Sequence, residues 1–265
     1  MDLQFLYNAD AIYHFGYSLM VGVFVGGVAG YLGSLMITKR MALVGDALGH
    51  AALPGIALAL IYGFNPSWGA IPALFFGILV IWFFEIHTKL PMEALAGIVF
   101  TASVAIAFLF LPESEVSTAL IGDISKINLF DTIVSVILSL IVFLILKKIF
   151  SNMILASISE DLAKVEHIDT KRHNFIYLVC IAIIVALGIK VTGSLLMGAL
   201  VITPAAAARN IASNLFQYSF GSLIIGAISC VLGILLFKTF SLPAGPFIIL
   251  SASLIFITSL FFKKR

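Results

Sequence analysis

Asp46 and His50 stand four residues apart inside an apolar stretch long enough to cross a bilayer. On a helix, positions i and i+4 share a face, so this carboxylate and imidazole meet the same space. An ionised group near the bilayer centre costs roughly 2.5–3.5 kcal/mol on insertion scales, and such groups characteristically line a pathway rather than face lipid. Together the two side chains suit a divalent transition metal. Two protein ligands do not complete a tetrahedral zinc sphere, so water, other spans or a second copy across a two-fold axis must supply the rest. An incomplete site suits transport, because a closed four-ligand site would trap the ion. Gly45 and Gly49 flank the pair and leave room for a ligand beside it. The plainer alternative is a pair that satisfies only itself or a neighbouring backbone.

The elements that must hold these residues are membrane helices. Hydrophobic residues make up 62% of the chain, charged residues 11%, and the mean hydropathy is +1.17. Globular domains carry roughly 25% charged residues, and a soluble core of this length could not hide so much apolar surface. The expected fold is all-α, a single transmembrane domain over residues 1–265, built as a polytopic bundle of eight or nine spans. Apolar runs lie at about 15–38, 41–62, 68–86, 92–111, 127–146, 173–189, 191–208, 212–237 and 244–262. The preferred count is nine. The run at 191–208 is short, and Thr203-Pro204 is expected to break its ladder; were it re-entrant, eight spans would put both ends on one side. With nine spans and the N-terminus outside, 12 of the 15 Lys and Arg residues fall on cytoplasmic segments and only Lys126, Lys190 and Lys238 fall outside.

On that count His50 lies within about 3 Å of the midplane and Asp46 roughly 8 Å to its cytoplasmic side. Transporter substrate sites are common at this depth. His14, His87, His167 and His173 read as interfacial or solvated, Glu93 as a first-turn acid, and Asp123 as an outer turn residue with a lesser role at the entrance. Gly22, Gly26 and Gly30 read as intramolecular packing positions. Cys180 and Cys230 read as small hydrophobes without a disulfide framework. Asp2 and Asp10, with no basic region, argue against a cleavable signal, so the first span is expected to be retained.

The segment 147–172 is the one long polar stretch, assigned to the cytoplasm. Ser157-Ile-Ser-Glu160 matches a capping box and predicts a short helix through Asp161, Leu162, Ala163, Lys164 and Val165, with Leu162, Val165 and Ile168 as an apolar stripe. Such a helix lies on a membrane or docks into a partner; its acids equal or exceed its bases, which favours a partner. No phosphate loop G-x-x-x-x-G-K-[ST], no H-E-x-x-H and no G-x-S-x-G occurs. The chain is expected not to be an enzyme, and energy must come from a gradient or another subunit. The basic residues sit at span ends and form no nucleic-acid patch.

Arg40-Met-Ala-Leu-Val-Gly-Asp46-Ala-Leu-Gly-His50-Ala-Ala-Leu-Pro-Gly55 resembles the signature of the metal-ion permeases of ATP-binding-cassette importers. In order along the chain, Ser157-Ile-Ser-Glu-Asp-Leu-Ala163 resembles that family's coupling segment and Thr192-Gly-Ser-Leu-Leu-Met-Gly-Ala-Leu-Val-Ile-Thr-Pro-Ala-Ala206 its next motif. Pro243-Ala-Gly-Pro246 resembles the C-terminal end of its zinc permeases. The resemblance implies a type II importer-like permease in the bacterial cytoplasmic (inner) membrane: a homodimer bound to two ATPase subunits and fed by an extracytoplasmic metal-binding protein. It implies Asp46 and His50 as metal residues, and Ser159, Glu160, Asp161, Leu162 and Ala163 as the ATPase contact. It implies transported Zn2+, Mn2+ or Fe2+, zinc foremost, with no permanently bound cofactor. An ion-coupled secondary metal transporter would also use an intramembrane Asp and His but would not need the coupling segment. A membrane-embedded metal-dependent enzyme is the remaining class.

Overall fold

The computed structural model describes residues 3–64, 66–88, 90–110, 120, 124, 127–240 and 242–262, with side chains from His14 onward except those of Ser67 and Glu160. Asp2, Lys89, Asp123 and Lys126, the side chain of Asp10, and the three terminal basic residues lie outside the described residues. All regular elements described are helical. They are α1 (Leu3–Thr38), α2 (Ala42–Ala51), α3 (Leu53–Tyr62), α4 (Pro66–His87), α5 (Met92–Phe110) and α6 (Leu129–Ile158), then α7 (Glu160–Val165), α8 (Thr170–Thr192), α9 (Met197–Ile211), α10 (Leu215–Phe240) and α11 (Ala244–Phe261).

Among the described residues, eight stretches are long and apolar enough to cross a membrane: 14–38, 42–62, 68–87, 92–110, 129–158, 170–192, 215–240 and 244–261. The chain is a multi-pass membrane protein. Large apolar side chains such as Phe76, Phe108, Leu109 and Leu254 stand exposed around the bundle, where a bilayer rather than water accommodates them.

The expected ninth span is corrected in length. Its run folds as the 15-residue α9, shorter than the roughly 20 residues a full crossing needs. The break expected at Thr203-Pro204 is also misplaced. Pro204 lies inside α9, and the interruption comes earlier, where Gly193 at φ 82° ends α8. Pro204 loses one ladder bond only, and its ring packs beside Gly30 of α1. The reversal survives the shortening. Gly49 lies against Ser194, Asp46 against Gly198 and Gly45 beside Val201, so α9 runs antiparallel to α2. α9 therefore keeps the direction expected of the run at 191–208, although among the described residues only eight stretches are of crossing length.

α1 is the axis of the bundle. Residues 21–36 are almost wholly buried, packed on α6, α9 and α10. Hydrophobic driving force between helices fades in lipid, so close backbone packing must supply the attraction. Gly22, Gly26 and Gly30 provide it: they face Cys230, Gly226 and Ser222 of the antiparallel α10, as the intramolecular reading expects. Cys180 and Cys230 are free and buried. His14 Nδ1 bonds the Ile127 carbonyl (3.0 Å) at one end of α1, and Lys39 reaches Met153 at the other, so α1 and α6 run parallel. Near the His14 end, Lys190 donates to Asp131 at 2.6 Å and ties α8 to the first turn of α6.

The polar segment needs a second correction. α6 does not stop near Leu146 but runs through Lys147-Lys148 to Ile158, because Ile149, Met153 and Ile154 continue a buried face. Ser157 consequently lies within α6, its hydroxyl donating to the Ile154 carbonyl. The cap of α7 is Ser159, whose Oγ accepts from the Leu162 amide at 3.3 Å. α7 ends at Val165, and His167 turns at φ 54°, so Ile168 falls outside the helix and the stripe reduces to Leu162 and Val165. Glu93 does occupy the first turn of α5.

Candidate functional site

The site is built on α2. Arg40, at φ 56°, makes the tight turn out of α1, and Ala42–Ala51 then climbs away from the basic end. Pro54 has no amide hydrogen to give the His50 carbonyl, and the helix is interrupted at Ala52 before α3 resumes. The interruption falls immediately after His50. Helix breaks inside membranes are tolerated where they line a cavity or lie against protein.

His50 Nδ1 lies 3.0 Å from the Asp46 backbone carbonyl. A carbonyl only accepts, so Nδ1 carries a proton, which in the neutral tautomer leaves the lone pair on Nε2. Among the described residues Nε2 has no hydrogen-bond partner. Ligating histidines characteristically hand their second N–H to a carbonyl or carboxylate in this way, which fixes tautomer and ring orientation. The ring is held further by an edge contact with Phe100 of α5, centroids 4.7 Å apart.

The Asp46 carboxylate is not spent on His50. Its Oδ1 is 3.9 Å from Nδ1, beyond hydrogen-bond range, and the Asp46 side chain is 42% exposed against 10% for His50. The alternative of a pair that merely satisfies itself therefore accounts for only one imidazole nitrogen. The exposed carboxylate and Nε2 remain as two donors. Among the described residues no group of three or more His, Cys, Asp or Glu is placed to hold a metal ion. The described residues thus place Asp46 and His50 together on α2 without a third group of these types beside them.

The remaining histidines stay away from this pair. His87 and His173 bond the carbonyls four residues back in their own helices, at 2.7 Å each. His167 occupies the turn after α7. Of the five residues expected at the docking segment, Asp161 and Leu162 are exposed, and among the described residues Asp161 pairs only with Lys164 on its own helix. Ser159 is occupied as the cap. Ala163 is fully buried within the chain.

Sequence reasoning missed two sets of residues. Ser194 and Gly198, either side of the start of α9, pack directly on α2 at Gly49 and Asp46; the glycines of the Thr192–Ala206 motif were the available signal. At the basic end, Lys39 donates to Asn174, which donates to Glu85 at 2.7 Å, joining α1, α8 and α4. No pattern in the sequence pairs these three.

Comparison with known proteins places this architecture. The chain is 29% identical over 268 residues to the manganese import system permease protein ScaB of Streptococcus gordonii, covering all of this chain and 93% of that protein. It is 28% identical over 252 residues to the high-affinity zinc uptake system membrane protein ZnuB of Buchnera aphidicola, covering 92% and 96%. Among solved structures, PsaBC from Streptococcus pneumoniae in complex with Fab superposes with a TM-score of 0.82 at 27% identity, covering 99% of this chain and 96% of that one. The profile of the ABC 3 transport family matches residues 13–263, almost the full length, and the chain belongs to that family.

Proposed function

We propose that this chain is the permease subunit of an ATP-binding-cassette importer that carries a divalent transition metal inward past Asp46 and His50. The observation that carries the reading is the His50 Nδ1 to Asp46 carbonyl bond, which leaves Nε2 and an uncommitted carboxylate together on one helix. Asp46 attracts the cation electrostatically, and Nε2 contributes the nitrogen that selects transition metals over harder ions. The carboxylate's exposure permits a second copy of the chain to bring its own pair to the ion. Two weak half-sites hold a metal when closed and release it when they separate.

The chain has no phosphate loop, so ATP hydrolysis falls to separate ATPase subunits, two in the assembly, with an extracytoplasmic metal-binding protein delivering the substrate. The partners are supported by family membership and by the relatives named as permeases of import systems. The inner membrane is the matching location in a bacterium. Zinc is our reading from the C-terminal motif. Relatives named for manganese and for zinc match at 29% and 28%, so they support the metal class, and uptake decides between the two ions. The test is radioactive zinc uptake in cells lacking their own importers. Uptake that unlabelled zinc suppresses at lower concentration than manganese supports zinc; the reverse order assigns manganese, and no metal uptake refutes the class.

Docking of the ATPase is assigned to α7. Asp161 is exposed and paired only within its helix, so its charge is worth little to the fold. Charge reversal at Glu160 and Asp161 is expected to weaken ATPase co-purification while the amount of inserted permease stays unchanged.

A further inference from the structure

We propose that Gly198 is a positioning residue for Asp46, fixing where the carboxylate stands by the space it leaves empty. The inference rests on the reading of Asp46 and His50 as the substrate site. Gly198 is the second residue of α9, and a Cβ built there would stand 2.7 Å from the Asp46 Cβ, 2.8 Å from its Cα and 2.8 Å from its Oδ1. One of those atoms is backbone, so rotation of the Asp46 side chain cannot relieve the clash; α2 and α9 must separate. The contact is specific to Asp46. His50, one turn further along α2, is buried against Phe100 and held by its own Nδ1 bond, so displacement at Asp46 changes the spacing of the two donors.

The chain delivers α9 to this place by a second glycine. Gly193 takes φ 82° where α8 ends, a conformation that residues with a Cβ rarely adopt. The segment that follows lays Ser194 against Gly49, and Gly198 then lands on Asp46. The interruption between α8 and α9 thereby acts as a clamp on the metal-binding turn of α2. Discontinuous helices at substrate depth are a recurrent transporter device, and here the close contact names the residue that uses it.

The test compares Gly198→Ala, Asp46→Ala and Gly221→Ala in the assembled permease–ATPase complex, reconstituted in vesicles of phosphatidylethanolamine and phosphatidylglycerol, with Zn2+ and Mn2+ as probes. Among the described residues a Cβ at Gly221 meets only Ala208, at an ordinary 3.5 Å, so that variant should behave as wild type. Gly198→Ala is expected to raise the half-saturating metal concentration at least about tenfold with a much smaller change in maximal rate, the signature of lost substrate binding. An unchanged half-saturating concentration in an assembled Gly198→Ala complex overturns the proposal. If Asp46→Ala transports normally, the site reading itself has failed; if only Asp46→Ala is impaired, the site stands and the positioning role falls. Should Gly198→Ala not assemble, Asp46→Gly is added in the same chain. That change removes the Cβ and Oδ1 contacts and leaves the Cα one, so partial recovery of assembly supports the proposal, whereas no recovery shows that Gly198 serves backbone packing of α9 on α2 rather than the Asp46 side chain and overturns it.

Discussion

Replacing Asp46 or His50 by alanine is expected to abolish metal uptake while the permease remains inserted and bound to its ATPase. Each variant removes one of the two donors that a single chain presents, in a setting where little water stands by to replace it. Changes to groups that merely orient a ligand cost roughly 10–100-fold in metal affinity, so loss of a ligand should cost at least about 100-fold. The structure separates this result from general damage. Asp46 makes no hydrogen bond through its carboxylate among the described residues, and its removal leaves no buried polar partner behind. His50→Ala does open a small space beside Phe100, so its membrane abundance is the necessary control. Normal uptake by both variants in cells starved of zinc and manganese removes the site assignment. Loss of the protein from the membrane returns the pair to a purely structural role.

The second large effect is expected at Leu162. This side chain is 52% exposed on α7, and Val165 beside it is 73% exposed, although both are apolar. The described residues leave both largely uncovered, and they lie past the end of a crossing helix. Buried apolar anchors dominate interface energies, so a charge in place of Leu162 should be far more damaging than reversal of the neighbouring acids. Leu162→Asp is expected to release the ATPase or to uncouple hydrolysis from transport. Co-purification and metal-stimulated hydrolysis in reconstituted membranes provide the readout. Wild-type association together with wild-type stimulation would make α7 a connector only. Because Ser159 caps the helix and Ala163 is buried behind it, Leu162→Asp alters the outward face without disturbing the scaffold.

Much of this architecture is legible in the amino-acid order, for a definite reason. Crossing a bilayer demands long apolar runs, and eight of the nine runs indeed form stretches of crossing length, seven as single helices and one as α2 with α3. The i, i+4 relation of Asp46 and His50 is equally local and needs only the helix period. What was misplaced depends on contacts that composition does not encode. Lys147-Lys148 reads as the edge of the membrane, yet α6 continues because Ile149, Met153 and Ile154 find a buried face beyond it. Pro204 reads as a breaker, yet one missing amide is tolerated inside α9, while Gly193 does the breaking through its positive φ. The capping pattern moved from Ser157 to Ser159 for the same reason that α6 ran long. The packing of Gly198 on Asp46 spans 152 positions and joins two motifs that the sequence shows only as separate strings.

At the core of the proposed function, ATP hydrolysis by a separate subunit drives a metal ion past Asp46 and His50. The most direct test is accumulation of radioactive zinc or manganese inside vesicles containing the permease, its ATPase and the metal-binding protein, oriented for import and free of any ion gradient. Accumulation is expected to require ATP and to disappear in the Asp46→Ala complex. Accumulation driven by a proton or sodium gradient without ATP would contradict it and establish a secondary transporter instead.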